Sequence, residues 1–432
     1  MPTPTQIVTS HRPDLAPYET LYQHFHAHPE LSNQESETAA TISSHLAALS
    51  PAFTIHPHIG GHGLAAVLSN GSSSSSGPTV LLRADMDALP VEEATGLPYA
   101  SRRRMRDAEG NEKPVMHACG HDVHVTALLA AAELLVRVRG EWSGTVVLCF
   151  QPAEERGTGA QAMVDGGLYE RVGGLPDVVL GGHVMPNRAG TISLRKNLMA
   201  SSADSLHITL HGRGSHASQP HRSIDPVVMA ASAVTRLQTI VSREVAPDDL
   251  AVVTVGSIVG GDAENVIPGS AVMKVDTRAI NASTRERVLK SVERIVRAEC
   301  EASGALKEPE FRKTREFPLM FNDEKIVETL TGAFAEHFQE LPHHFARDGP
   351  RLGGSEDFAI LGTSINRPCC FWVYGGTDPE VWDKLEKEGK LDELPINHSP
   401  LFAPVLQPTL KVAVDAYALG ALTYLVKQSD FL

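Results

Sequence analysis

The sequence predicts an α/β fold in two domains, with a smaller α+β unit inserted into a larger α/β one. Three observations carry this reading. At 432 residues the chain exceeds the usual size of a single hydrophobic core. Up to about residue 195, apolar strand-like runs alternate with helical segments, the pattern of a largely parallel sheet. Between about residues 200 and 313 the order becomes β-α-β-β-α-β, the ferredoxin-like arrangement. The expected boundaries are therefore a discontinuous larger domain, 1–199 and 314–432, and an insertion at 200–313.

The elements follow in order. Residues 16–50 read as helical and include the His-rich stretch His24-Phe25-His26-Ala27-His28-Pro29-Glu30. Three histidines beside a Pro-broken helix end are more often packing or surface residues than ligands. A glycine turn at 60–63 leads into a strand at 64–68. Residues 71–77, a run of serines between glycines, have nothing to bury and read as a flexible loop. The runs 79–83, 145–150 and 177–180 are apolar and strand-like, and 123–138 is an Ala/Leu-rich helix. In the insertion, 205–210 alternates apolar and polar residues. Residues 226–241 read as a helix, 250–259 and 271–280 as strands, 284–302 as a charged amphipathic helix and 306–313 as the last strand. A helix at 324–339, a buried strand at 368–374 and an apolar helix at 409–426 complete the chain.

Composition narrows the function class. Net charge is −14, from 38 basic and 52 acidic residues, which argues against nucleic acid or an anionic membrane as the main partner. Arg102-Arg103-Arg104 is a local exception in a stretch that reads as a polar loop, where a solvated face is the ordinary explanation. Five cysteines, an odd number without framework spacing, fit a reducing compartment. No signal pattern, membrane-length apolar run or C-terminal address is evident, so the cytoplasm is the expected location.

The chemistry gathers at strand ends. Run 79–83 leads into Asp85-Met86-Asp87, run 145–150 into Glu154-Glu155, and run 177–180 into Gly181-Gly182-His183. Between the first two lies His117-Ala118-Cys119-Gly120-His121-Asp122-Val123-His124. Ligands of open α/β sheets bind beyond the carboxyl ends of parallel strands, so these segments are expected to converge. A thiolate, imidazoles and paired carboxylates together are the donor set of a transition-metal hydrolase. Each residue also has a plainer reading. A lone buried cysteine is usually inert core, although Cys119 precedes a helix whose dipole is expected to lower a thiol pKa. Glu154 and Glu155 read as an exposed loop pair or as a ligand and a general base. His183 reads as core or as ligand. His117 and His124 read as structural or supporting residues, and His398 is weak taken alone.

Read together, these segments resemble the M20 metallopeptidase and amidohydrolase family, in particular its aminoacylase-like, hippurate-hydrolase-like and auxin-conjugate hydrolases. The resemblance runs from His28-Pro29-Glu30-Leu31-Ser32 through the motifs above to Asn265-Val266-Ile267-Pro268, Ser355-Glu356-Asp357-Phe358 and His398-Ser399-Pro400. It implies a zinc-peptidase-like catalytic domain with the insertion as a lid and dimerisation domain. It further implies two divalent metal ions, Zn or Mn, held by Cys119, His121, Glu155, His183 and His398. In this reading Glu154 is the general base, Asp87 orients a ligand and His216 stabilises the oxyanion. Asn265 and Arg278 contact the substrate, with Arg278 gripping a carboxylate or else forming an ordinary salt bridge. Asp85 stands where many family members carry a histidine ligand, and Cys119 where many carry a bridging aspartate; both departures match the amidohydrolase subgroup. The implied activity is hydrolysis of N-acyl amino acids or related amide conjugates by a metal-activated water. The implied partners are a small amide substrate bearing a carboxylate and a second copy of the chain. Rivals are a dipeptidase or carboxypeptidase on the same scaffold, a biosynthetic amide-processing enzyme, and a non-catalytic binding protein.

Overall fold

A computed structural model describes residues 2–71, 77–339 and 344–426. The serines of the expected 71–77 loop, at 72–76, lie outside the described residues, as do 340–343 and the end of the chain from 427. The chain divides into two compact units. One comprises Met1–Met199, Phe321–Arg351 and Asp357–Leu432; the other comprises Ala200–Met320 and Leu352–Glu356.

The first unit is built on an eight-stranded sheet. Its centre is four parallel strands in the order Gly144–Gln151, Thr79–Asp85, Val178–Arg188, Cys369–Thr377. The hairpin Thr54–Ile59 and Gly63–Asn70 adds antiparallel to Gly144–Gln151, and the short strands Ile192–Ser193 and Phe345–Ala346 close the other side. The central strands are buried along most of their length, which is why they read as continuous apolar runs and not as alternating ones. The helices His121–Arg137 and Thr409–Leu425 pack on each other and on these strands and are buried nearly all round. That accounts for their Ala/Leu composition.

The helical stretch expected at 16–50 is two helices, Ala16–Ala27 and Ser36–Leu49. Pro29 disfavours helical geometry at His28, which takes φ −125° and ψ 50°. The buried Glu30 carboxylate then receives the Glu37 and Thr38 N–H groups at 3.1 and 2.8 Å, satisfying the start of the second helix. A further helix, Pro4–His11, opens the chain with a Thr3–Gln6 capping box that the sequence reading overlooked. Arg104 belongs to a small hairpin with Glu112–Pro114, not to a featureless loop.

The strand expected to end near residue 180 continues to Arg188, so His183 sits within it. Glycines normally weaken a strand, but Gly181 and Gly182 do not end this one. Here they make room for aromatic neighbours: a Cβ on Gly182 would lie 2.1 Å from Trp372 Nε1, and one on Gly181 2.9 Å from the Phe358 ring.

The second unit has the expected β-α-β-β-α-β order: Ser202–His211, Pro226–Arg243, Ala251–Val259, Ser270–Ala279, Ala282–Ala302 and Glu310–Phe317. Its strands form one antiparallel sheet in which Ser270–Ala279 and Ser202–His211 are central, flanked by Ala251–Val259 and Glu310–Phe317. The two helices cover one apolar core that includes Ile208, Leu237, Met273 and Val292. The last strand starts four residues later than expected because Leu306 is exposed and Pro309 has no N–H to give a ladder.

Candidate metal centre

The centre lies in the first unit, where parallel strands meet the start of the long helix. Gly120 precedes that helix with φ 83°, a conformation that costs a residue bearing a side chain about 1–2 kcal/mol. A Cβ there would also lie 2.3 Å from Val184 Cγ1. Glycine therefore lets the chain turn against the strand and sets Cys119 and His121 beside His183.

Cys119 Sγ is 3.4 Å from His183 Nε2. Glu155 Oε1 is 3.9 Å from His121 Nε2 and 3.3 Å from His398 Nε2. Donors bound at tetrahedral angles with bonds of about 2.0–2.3 Å stand about 3.3–3.8 Å apart, so this spacing suits metal ligands. Cys119, His121, Glu155 and His183 are buried, whereas the His398 side chain is 53% exposed.

Hydrogen bonds fix which nitrogens are available. His121 Nδ1 donates to the Asp87 carbonyl at 2.8 Å, and His183 Nδ1 donates to the Val184 carbonyl at 2.6 Å. A carbonyl only accepts, so each Nδ1 carries a proton and the neutral ring keeps its lone pair on Nε2. His121 Nε2 and Glu155 Oε1 are both buried without a hydrogen-bond partner. Two orphaned donor atoms facing one space are costly unless a cation completes them.

His124 lies among these rings but is already spent. Its Nδ1 bonds Asp85 Oδ1 at 2.5 Å, and its Nε2 accepts the Val184 N–H at 3.0 Å. Asp85 is spent too, since Arg83, wholly buried, donates to its other oxygen at 2.7 Å. That fits its place as a departure from a histidine ligand. Arg83 also reaches Gln151 Oε1 at 2.8 Å and Asp357 at 3.4 Å, tying three segments under the site.

Electrostatics at the site favour a cation. Burial pushes the Cys119 thiol well up, and the Glu155, Glu154 and Asp85 carboxylates push it further. This reverses the expectation that the helix N-terminus would lower it: one helix dipole is outweighed by desolvation and three nearby carboxylates. Burial disfavours the charged form of His121, yet Asp85, Asp87 and Glu155 overcome it and raise the ring to about 10. Protons are thus held where a divalent cation would replace them.

The carboxylate turn is anchored from below. Asp87 accepts the Glu154 N–H and the Glu155 N–H, each at 3.1 Å, and the Ser32 hydroxyl at 2.6 Å. Asn397, which the sequence reading passed over, donates to the Cys119 and Val184 carbonyls at 3.3 and 3.2 Å and lies 3.8 Å from Cys119 Sγ. His117 is buried with neither ring nitrogen partnered. His24 and His28 are surface neighbours whose rings lie tilted to each other with centroids 4.5 Å apart. His26 is buried, with Asp122 at 2.7 Å and Glu93 at 3.0 Å.

The remaining candidates lie in the second unit. His216 is exposed on the short strand Ser215–His216, paired with Val266–Ile267, and its Nδ1 is 2.8 Å from Ser218 Oγ. Asn265 adjoins that ribbon, its carbonyl accepting the Ala217 N–H at 3.0 Å. Arg278 on Ser270–Ala279 sits 3.3 Å from Asp276 and donates to Ser355 Oγ at 3.3 Å. The salt-bridge alternative for Arg278 is thus present.

Residues 81–388 match the sequence profile of peptidase family M20/M25/M40. Hippurate hydrolase of Campylobacter jejuni is 36% identical over 345 residues, covering 80% of this chain and 84% of its own length. Thermostable carboxypeptidase 2 of Saccharolobus solfataricus is 34% identical over 402 residues, covering 92% and 93%. The crystal structure of the Bacillus subtilis YXEP protein, described as a dinuclear metal-binding peptidase from the M20 family, superimposes with a TM-score of 0.70. It is 28% identical and covers 94% of this chain and 97% of its own. The chain belongs to the M20/M25/M40 peptidase family.

Proposed function

We propose that the protein is a metal-dependent amidohydrolase that cleaves N-acyl amino acids or related amide conjugates. The observation that carries this is the convergence of Cys119, His121, Glu155 and His183 with their lone pairs turned inward and two of them orphaned. Cys119, His121, Glu155, His183 and His398 would hold two divalent ions; a thiolate favours zinc, and manganese is the second candidate. Bound there, the ions would polarise the amide carbonyl and bring a water's pKa down to roughly 7. Glu154 takes the proton of the attacking water and passes it to the leaving amine. Asp87 holds the turn that carries Glu154 and Glu155, and its carbonyl holds the His121 ring.

His216 stabilises the developing oxyanion, and Asn265 and Arg278 contact the substrate, with Arg278 binding its carboxylate. The 200–313 insertion serves as lid and as the contact between two copies of the chain. Two features support the second role. Edge strand Ala251–Val259 exposes Val252, Ile258 and Val259 at 40, 45 and 62%, whereas the opposite edge strand, Glu310–Phe317, is rich in charge. An apolar edge invites strand pairing and a charged one deters it. No helix among the described residues is long and apolar enough to cross a membrane, and the cytoplasm is the proposed location.

The test is a screen of zinc- and manganese-loaded protein against N-acetyl and N-benzoyl amino acids and dipeptides, with Glu154→Ala as control. Faster cleavage of N-acyl amino acids is expected, with activity lost in the control. A strong preference for peptides would favour the second reading, a carboxypeptidase, which the similarity to the Saccharolobus enzyme supports. Hydrolysis persisting in Glu154→Ala would break the mechanism.

A further inference from the structure

The backbone N–H groups of Ala153, Glu154 and Glu155 are all received by buried carboxyl groups from elsewhere in the chain. Glu154 and Glu155 donate to Asp87, as described, and Ala153 donates to Glu35 Oε1 at 2.9 Å. Glu35 stands just before the helix Ser36–Leu49, and the same oxygen accepts the Asn33 N–H at 2.8 Å. Ala153 has φ 49° and ψ 38°, a left-handed conformation at the end of the strand Gly144–Gln151. Residues other than glycine hold that conformation only where their surroundings enforce it. The bend is what turns Glu154 and Glu155 off the strand.

Glu35 is wholly buried, and its second oxygen, Oε2, has no hydrogen-bond partner. Burial, helped by the neighbouring Asp87 charge, pushes its carboxyl up to about 8. A neutral acid can accept the two N–H bonds without adding a further negative charge beside Asp87, Glu154 and Glu155. Loss of solvation also explains why so costly a residue needs a reason to be there.

We infer that Glu35 is a positioning residue of the hydrolytic site, its Oε1 holding Ala153 in the left-handed bend and so fixing where Glu154 and Glu155 point. The inference rests on the reading of Glu154 as base and Glu155 as metal ligand. It makes the amide oxygen of glutamine an adequate substitute, because only an acceptor at that position is required.

Glu35→Gln, Glu35→Asp and Glu35→Ala are compared for zinc affinity by competition with a chromophoric chelator and for kcat and KM on the best substrate of the screen. Far-UV circular dichroism checks folding. Glu35→Gln is expected to match wild type in both readouts. Glu35→Ala is expected to lose about 10–100-fold in zinc affinity and in kcat, with KM unchanged, as for other groups that orient ligands. Glu35→Asp, one methylene too short to reach Ala153, should fall toward the alanine variant and serves if that variant does not fold. Wild-type affinity and kcat in a folded Glu35→Ala or Glu35→Asp would overturn the inference. So would an equal loss in Glu35→Gln, which would mean that the acid itself is used. Glu154→Ala separates the two ideas: if it retains activity the base assignment fails, whereas a dead Glu154→Ala beside a normal Glu35→Ala removes only the role of Glu35.

Discussion

At the residue scale, two side chains report the potential at the candidate centre. The Cys119 thiol is pushed up by burial and surrounding carboxylates, while His121 is raised to about 10 by carboxylates that overcome its burial. Both shifts express one negative potential acting on two groups, and a divalent cation held there would take the place of their protons. Hydrogen bonding divides the histidines: His121 and His183 give Nδ1–H to carbonyls and keep Nε2, whereas His124 uses both nitrogens. Glu154 is the proposed base and Glu155 the proposed ligand, and a substitution separates the two roles. Glu154→Gln keeps the shape of the turn but cannot move a proton, so kcat is expected to fall by about 10²–10⁴. Metal content, measured by atomic absorption, should stay at the wild-type value. Loss of metal together with activity would make Glu154 a ligand instead.

At the element scale, the strand Val178–Arg188 shows what a pair of glycines is for. Trp372 on the neighbouring strand fills the space a side chain at Gly182 would need. Gly182→Ala is therefore expected to destabilise the protein by about 1–3 kcal/mol through overpacking, as read by urea unfolding followed at Trp fluorescence. A second element-level device joins the helix Ala16–Ala27 to the start of His121–Arg137. His26 is desolvated, but its hydrogen bonds to Asp122 and Glu93 raise it to about 9. A folded pKa above the unfolded value of about 6.5 stabilises fully below about pH 6.5, and that contribution is lost as pH rises through about 9. Its size is roughly 2–4 kcal/mol. The stability gap between wild type and His26→Gln should accordingly be large at pH 6 and shrink by pH 10 in denaturant titrations. A gap that does not change with pH would mean that the ring is neutral in the folded state.

At the scale of the whole molecule, the unequal edges of the second unit predict association. Lysine at the exposed apolar positions, as in Ile258→Lys with Val259→Lys, should convert a dimer to a monomer in sedimentation velocity while leaving the circular dichroism spectrum unchanged. A wild-type monomer would remove the proposal. Much of the architecture was legible in advance: the switch from buried strands and long helices to an alternating β-α-β-β-α-β stretch marked the two units, because sheet burial sets hydrophobic period directly. Strand ends were less legible, as Gly181-Gly182 shows, since a neighbour's indole is invisible along one chain. The donor types at the centre, from Cys119 through His183, were readable because a thiol, imidazoles and paired carboxylates near apolar strand ends have few other uses. Their support was not. Glu35, Arg83, His26 and Asn397 act through partners tens to hundreds of residues away, and nothing local in their sequence surroundings distinguishes them from ordinary polar residues. By itself, then, the sequence determined most of the elements and which chemical groups the protein brings to its site, because propensity, period and donor chemistry are local properties. Only the tertiary structure decided which nitrogen of His121 and of His183 is free, that the Cys119 thiol is raised and not lowered, and which carboxyl groups hold the Glu154-Glu155 turn. Those outcomes depend on burial and on charges that folding brings together from distant parts of the chain.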